Sequence, residues 1–70
     1  MATLQLNVER VQECMKANGW SERELANHMD VAYSYLNHLL RGKRSPGAHA
    51  IAGFQLAGLN WDEIFTVVED

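Results

Sequence analysis

The side chains best suited to chemistry in this sequence are the three cations of one short segment, Arg41, Lys43 and Arg44. They make up half of the six Lys and Arg residues, although the 70-residue chain has a formal charge of −3. Cations at this density bind phosphate oxygens, and such binding weakens steeply with salt. The segment therefore indicates a phosphate-bearing partner, the alternative being a solvated loop whose charges stabilise a helix dipole.

A helix that presents polar groups is predicted just before this segment, from about Ala32 to Arg41. Its apolar side carries Leu36, Leu39 and Leu40, at the spacing of one helix face. Its other side carries four polar residues: Tyr33, Ser34, Asn37 and His38. Such groups suit the base edges of double-stranded DNA in the major groove, where an asparagine amide can form two hydrogen bonds with adenine. We take these four residues as candidates for base reading and the three cations as candidates for phosphate binding.

A preceding helix, over residues 21–29, is predicted to position the presented one. Ser21 and Glu24 have the spacing of a capping box, in which the two side chains satisfy free backbone N–H groups. Asp30 tolerates the left-handed conformation that ends such a helix. Two short helices joined by about three or four residues cross steeply. The N-terminus of the first helix, at Ser21, is a further candidate for phosphate binding.

These features resemble the Cro and lambda-repressor-like regulators, also called XRE-like, which carry a helix-turn-helix. The resemblance runs from about Val8 to Phe65. The matching residues are Leu25, Ala26, Met29, Val31, Leu36, Leu39 and the run from Arg41 to Pro46. The resemblance implies an all-α domain of five helices, with the helix-turn-helix at helices 2 and 3. It also implies a transcriptional regulator that binds operator DNA as a dimer.

The remainder of the chain predicts further helices within one domain, residues 1–70. A first helix covers about residues 7–18. A fourth helix starts with Ser45 as its N-cap and Pro46 at its first position, and ends near Ala57. In residues 1–6, Leu4 and Leu6 alternate with polar residues, which is compatible with a short strand or a frayed arm.

A last helix of about eight residues is predicted after Asn60, whose spacing from Glu63 is that of a second capping box. The apolar residues at this end exceed what one small core needs, and such a surplus is typical of an interface. We therefore expect a homodimer. Its candidate interface residues are Trp61, Ile64, Phe65 and Val68.

Three residues depart from the pattern of the family. Glu22 stands where a glutamine usually reaches a phosphate, and its carboxylate would repel that phosphate unless it turns aside. Ala32 stands where Ser or Thr usually caps the helix, and a missing cap costs about 1 kcal/mol. Asp30 replaces the usual glycine of the turn. With the acidic net charge, these departures keep a second hypothesis open: a protein-interaction module, such as an antirepressor or a regulator's partner, with weak or no DNA binding.

The other reactive side chains predict no catalytic or metal site. Cys14 lies on an apolar helix face, which is typical of a core residue. His28, His38 and His49 come from three different helices without metal-ligand spacing. The sequence has no Gly-rich phosphate loop and no nucleophile with an evident base, so we expect no enzyme activity and no cofactor. It also has no apolar run of transmembrane length and no export signal, which favours the cytoplasm.

Overall fold

Five helices and a two-stranded antiparallel sheet form the part of the chain that the structure describes. This computed structural model describes the backbone of residues 2–69 and the side chains of residues 5–60 and 62–69. The elements in chain order are β1 (Ala2–Leu6), α1 (Val8–Asn18), α2 (Glu22–Met29), α3 (Tyr33–Leu40), α4 (Ala48–Leu56), α5 (Trp61–Ile64) and β2 (Phe65–Glu69). The prediction of five helices is therefore confirmed. The predicted all-α class is correct only in part, because the fold also contains a small sheet.

The local signals predicted for the two ends of α2 are confirmed. The Ser21 hydroxyl accepts a hydrogen bond from the Glu24 N–H at 3.2 Å. In return, the Ser21 N–H donates to Glu24 Oε1 at 3.1 Å, which completes the capping box. Asp30 ends α2 in the left-handed conformation, with φ 58°, and Gly42 does the same just after α3, with φ 74°. Short-range hydrogen bonding therefore determines where these two helices stop.

The core is arranged around α2, which packs against both α3 and α4. Its residues Leu25, Ala26 and Met29 are buried and supply one continuous apolar stripe. The other core residues are Val11, Leu36, Leu39, Ala50, Phe54, Ala57, Leu59, Ile64 and Phe65. The rings of Phe54 and Phe65 meet edge to face with their centroids 5.9 Å apart, so the C-terminal segment completes the same core.

The fourth helix begins at Ala48, and its N-cap is Gly47, so the predicted start at Ser45 and Pro46 is wrong. Gly47 has an extended backbone, with φ −111° and ψ −171°. The fixed φ of proline suits an extended chain as well as a first helical turn, so Pro46 alone does not determine where a helix starts. Residues 45–47 therefore lie outside any helix and connect the basic segment to α4.

The predicted last helix is wrong beyond its first turn. α5 covers only Trp61–Ile64, and the chain continues directly as β2. Three consecutive residues of β2, Thr66, Val67 and Val68, are β-branched and favour a strand. β2 pairs antiparallel with β1, with Leu6 opposite Phe65. The short-strand alternative is confirmed for residues 2–6, residue 1 lying outside the described residues.

Helix α4 approaches α2 closely at Gly53, a position that the sequence reading did not single out. A Cβ atom at Gly53 would lie 2.9 Å from the Met29 carbonyl oxygen and 3.0 Å from Met29 Cβ. Because the nearest atom belongs to the backbone of α2, no rotation of a side chain relieves this contact. The absence of a side chain at Gly53 therefore sets the distance between the two helices.

Gly53→Ala is expected to lower the free energy of unfolding by about 1–3 kcal/mol, because the added methyl group overpacks the α2–α4 contact. Helix propensity alone would act in the opposite direction, by about 1 kcal/mol. Urea denaturation followed by circular dichroism measures the effect. Ala52→Gly, at the exposed neighbouring position, is the matched control for propensity. A Gly53→Ala variant more stable than the wild type would contradict the tight contact.

Candidate nucleic-acid interface

Helix α3 turns one side into the core and the other towards solvent. Leu36 and Leu39 are buried, with 0% and 2% of their surface exposed. On the other side, Tyr33, Ser34 and His38 are exposed. The two leucines therefore fix the rotation of α3 about its axis, and this rotation presents three of the four candidate base-reading residues.

Asn37, the fourth candidate, is half-buried at the edge of this exposed side. Its Nδ2 donates to Glu22 Oε1 at 3.3 Å, across the gap between α3 and α2. Its Oδ1 accepts from Arg41 Nε at 3.1 Å, one helical turn further along the chain. The amide therefore already has partners within the protein, which the sequence reading did not anticipate. The signal available in the sequence was the departure at Glu22 from the residue usual in the family.

Arg23 joins the exposed side of α3 from the first turn of α2. Its guanidinium carbon lies 4.4 Å from the centroid of the Tyr33 ring, a cation–π distance. Both side chains are exposed, so Arg23 adds a cation beside the start of α3. Arg23 was not among the site residues predicted from the sequence. A cation in the first turn of a helix is out of place against the helix dipole, and this was the signal for a role beyond helix stability.

The basic segment forms a turn held by backbone hydrogen bonds at the end of α3. The Lys43 N–H donates to the His38 carbonyl oxygen at 2.9 Å, and Gly42 adopts the left-handed conformation that this closure needs. Arg41, Lys43 and Arg44 are all exposed. The turn therefore holds the three cations together at one end of the presented helix.

The charges of this turn are not neutralised by carboxylates among the described side chains. Among these side chains one ion pair is formed, between Arg10 of α1 and Glu63 of α5, with 3.8 Å between Nη2 and Oε2. It lies outside the basic turn and involves none of its three cations. The Arg44 guanidinium instead lies 5.3 Å from the centroid of the Tyr35 ring. A cation–π contact leaves the full positive charge in place. The turn can therefore attract an anion from solution.

The N-terminus of α2 is less open to an anion than the sequence suggested. The N–H of Ser21 already donates to Glu24, and its hydroxyl oxygen already accepts from the N–H of Glu24. The carboxylates of Glu22 and Glu24 lie in the same first turn. A phosphate contact at Ser21 would therefore have to use the remaining hydroxyl proton.

The candidate dimer residues differ in how far the protomer itself covers them. Ile64 and Phe65 belong to the core, with 0% and 6% exposed surface. Val68 is half-buried, and the side chain of Trp61 lies outside the described residues. The exposed apolar side chains near this end are Leu56 and Val67, at 69% and 62% exposure.

The remaining reactive groups stay apart from this surface. Cys14 is half-buried, and its Sγ lies 3.5 Å from Asn18 Nδ2. Within residues whose side chains are described, no three His, Cys, Asp or Glu residues are grouped to hold a metal ion. None of the described helices is both long and apolar enough to cross a membrane.

A family model described as Helix-turn-helix matches residues 11–52, from α1 into α4. The chain belongs to the lambda-repressor-like helix-turn-helix family. No curated protein and no solved structure gives a significant match. This family consists of DNA-binding regulatory domains and is not typically enzymatic. The helix-turn-helix match spans α2, the turn, α3 and the basic segment, so it contains all the residues that form the surface described above.

In this helix-turn-helix protein, α3 starts without a side-chain cap. Its N-cap is Ala32, with φ −67° and ψ 143°, and no side chain bonds to the free N–H groups there. The backbone of Ala32 already has the extended conformation of an N-cap residue, and its side chain is exposed. A hydroxyl group at this position would therefore reach the free N–H groups without rearranging the chain.

Ala32→Ser is expected to raise the free energy of unfolding by about 1 kcal/mol, because the serine hydroxyl would accept from the first turn of α3. Thermal unfolding followed by circular dichroism measures the gain. Ala17→Ser, at an exposed position inside α1, is the matched control and should be slightly destabilising, since serine is a weaker helix former. Equal effects of the two substitutions would argue against an uncapped α3.

Proposed function

We propose that this protein is a sequence-specific transcriptional regulator of the phage-repressor or Cro type, which inserts α3 into the major groove of its operator. One observation supports this above all: the exposed side of α3 ends in three clustered cations that no described carboxylate neutralises. An amphipathic helix of this kind offers polar groups to base edges while the cations bind the flanking phosphates. Such a regulator acts in the cytoplasm.

Base reading is proposed for Tyr33, Ser34, Asn37 and His38. Three of them are exposed on one side of α3, and Asn37 borders that side. The amide of Asn37 suits adenine, whereas the hydroxyl groups and the imidazole accept or donate at several base edges.

Phosphate binding is proposed for Arg41, Lys43 and Arg44, with a weaker contact from the Ser21 hydroxyl. Arg23 is added because its guanidinium lies over Tyr33, beside the groove-facing side of α3. Phosphate contacts fix orientation on the duplex and carry no sequence information of their own. Cations at both ends of α3 therefore allow the helix to be held along the groove.

A second function, a protein-interaction module, is favoured by the negative charge of Glu22 beside α3 and by the net charge of −3. In that case α3 and the basic turn would bind another regulator or an antirepressor. The two functions differ in their affinity for polyanions. Retention on heparin or random duplex DNA at low salt, with elution at modest salt, supports DNA binding, whereas flow-through supports the protein-interaction module.

The DNA-binding proposal predicts two different mutant signatures on a site selected from a random duplex library. Asn37→Ala should weaken binding to the selected site by about 1–3 kcal/mol and change binding to random DNA little, because it removes a base contact. Arg44→Ala should weaken both and flatten the log-affinity against log-salt slope by about one unit. Titrations at several salt concentrations measure both effects.

Lys16→Ala, an exposed cation in the last turn of α1, is the matched control for Arg44→Ala and should leave the salt slope unchanged. Equal losses on selected and random DNA for Asn37→Ala would mean that α3 does not read bases through this amide. Failure of the wild type to bind duplex DNA at any salt would overturn the proposal in favour of the protein-interaction module.

A homodimer is proposed through the C-terminal segment, where Trp61, Ile64, Phe65 and Val68 were predicted as interface residues. Ile64 and Phe65 would support this surface from within the core, and the exposed Val67 adds apolar area to it. Two-fold pairing would set two copies of α3 about one DNA turn apart, roughly 34 Å. This spacing would let one dimer bind two half-sites on the same side of the duplex.

Val67→Lys is expected to shift the protein from dimer to monomer in sedimentation at tens of micromolar, since a charge on the interface must be desolvated on pairing. Ala17→Lys, at an exposed position of α1 outside the proposed interface, is the matched control for an added charge. A wild-type protein that sediments as a monomer at this concentration would contradict the dimer.

A further inference from the structure

Three polar side chains connect α2 to α3 beside the proposed reading surface. The chain of hydrogen bonds runs from Glu22 to the Asn37 amide at 3.3 Å and from there to Arg41 at 3.1 Å. Glu22 and Asn37 are half-buried, whereas Arg41 is exposed in the basic turn. The network therefore links the first residue of α2, the middle of α3 and the proposed phosphate-binding cations.

The chemistry of the two outer groups determines which way the Asn37 amide faces. A carboxylate only accepts hydrogen bonds, and a guanidinium only donates them. The amide nitrogen must therefore face Glu22, and the amide oxygen must face Arg41. Exchanging the two amide atoms would set an N–H against the guanidinium and an oxygen against the carboxylate.

The amide keeps one donor and one acceptor for a further partner. An asparagine side chain offers two N–H donors and two oxygen lone pairs, and the network uses one of each. Adenine presents an acceptor at N7 and a donor at N6 in the major groove, which match the unused pair. Asn37 is half-buried at the edge of the exposed side of α3, so part of the amide is reachable from solvent.

The carboxylate of Glu22 has a second effect, through its charge. It lies in the first turn of α2 and reaches the Arg41 guanidinium only through the Asn37 amide. A phosphate near this end of α2 is repelled whatever the base sequence, because the backbone charge is the same everywhere. The hydrogen bond from Asn37 to Glu22, in contrast, affects affinity only for sites at which Asn37 contacts a base.

We propose that Glu22 is a positioning residue that makes DNA binding selective: it holds Asn37 for base reading and weakens binding to every duplex through its charge. This inference rests on the proposed function. It assigns a role to one of the three residues at which this chain departs from the pattern of its family. In this role the negative charge of Glu22, which opposes DNA binding, helps the protein to discriminate between DNA sequences.

Two variants of Glu22 separate its two effects. Glu22→Gln removes the charge but keeps an oxygen that can accept from Asn37, so binding to selected and random DNA should both tighten about fivefold at low salt. The ratio of the two affinities should stay within about twofold. Glu22→Ala removes charge and acceptor together. Its gain on random DNA should be similar, but the ratio should fall by about two- to tenfold. Glu13→Gln, an exposed carboxylate on α1, is the matched control for charge alone.

Two further measurements test whether Glu22 acts through Asn37. In the Asn37→Ala background, Glu22→Ala should no longer change the affinity ratio, which a double-mutant cycle detects. In NMR spectra of the free protein, the side-chain NH₂ signals of Asn37 should shift in Glu22→Ala, which loses the acceptor, and not in Glu13→Gln, the charge control. This readout needs no DNA and would not change if Glu22 served only the stability of α2.

The outcomes distinguish this inference from the proposed function. The inference alone is overturned if Glu22→Ala leaves the ratio of selected-site to random-DNA affinity unchanged. It is also overturned if the Asn37 NH₂ signals do not change when Glu22 is replaced. A ratio that falls in Glu22→Ala and is kept in Glu22→Gln supports it. A wild type that yields no selected site overturns the proposed function and the inference with it.

Discussion

The packing of α2 against both α3 and α4 is the constraint on which the rest of the structure depends. α3 has only eight residues, and a helix this short is not stable in water by itself. Its position is therefore set by Leu36 and Leu39, which share the core with the buried stripe of α2. On the other side, the absence of a side chain at Gly53 lets α4 approach the backbone of α2. The presented side of α3 has its orientation because α2 is held on two sides.

The positions of the charged residues say more about binding than the net charge of the molecule does. The acidic residues of α2 lie in its first turn, where they complement the helix dipole and one of them completes the capping box. The cations of the turn after α3 lie at the opposite kind of helix end, where the dipole favours positive charge. The same rule of helix electrostatics thus produces an acidic body and a basic edge. A net charge of −3 says little about what that edge binds.

How far the sequence predicted the structure depended on the range of the interactions involved. The capping box at Ser21 and the left-handed Asp30 follow from contacts within a few residues, and both were predicted. The start of α4 was misplaced because Pro46 fits two conformations and the decision lies with its surroundings. The strand β2 was missed because its partner lies at the other end of the described chain, beyond the range of any local signal.

The candidate site followed the same division. Helical periodicity was enough to separate Leu36 and Leu39 from the polar residues of α3. It could not show that Asn37 bonds to Glu22 or that Arg23 covers Tyr33, because both contacts cross between helices whose relative rotation only the folded core defines. Glu22 and Arg23 are both unusual residues for their positions, but residue type alone did not predict which side chain each of them contacts.

The pairing of β1 with β2 has a consequence for the order in which the fold opens. It closes a loop that spans nearly all of the described residues, and closing such a loop costs more entropy than joining neighbouring helices. Two strands of five residues are marginal as an isolated sheet. The sheet is therefore expected to form after the helices and to exchange its amide hydrogens before them. Opening of the sheet would expose Phe65, whereas Leu36 and Leu39 would stay packed in the core. The exposed side of α3 would therefore keep its orientation after the β1–β2 pairing is lost.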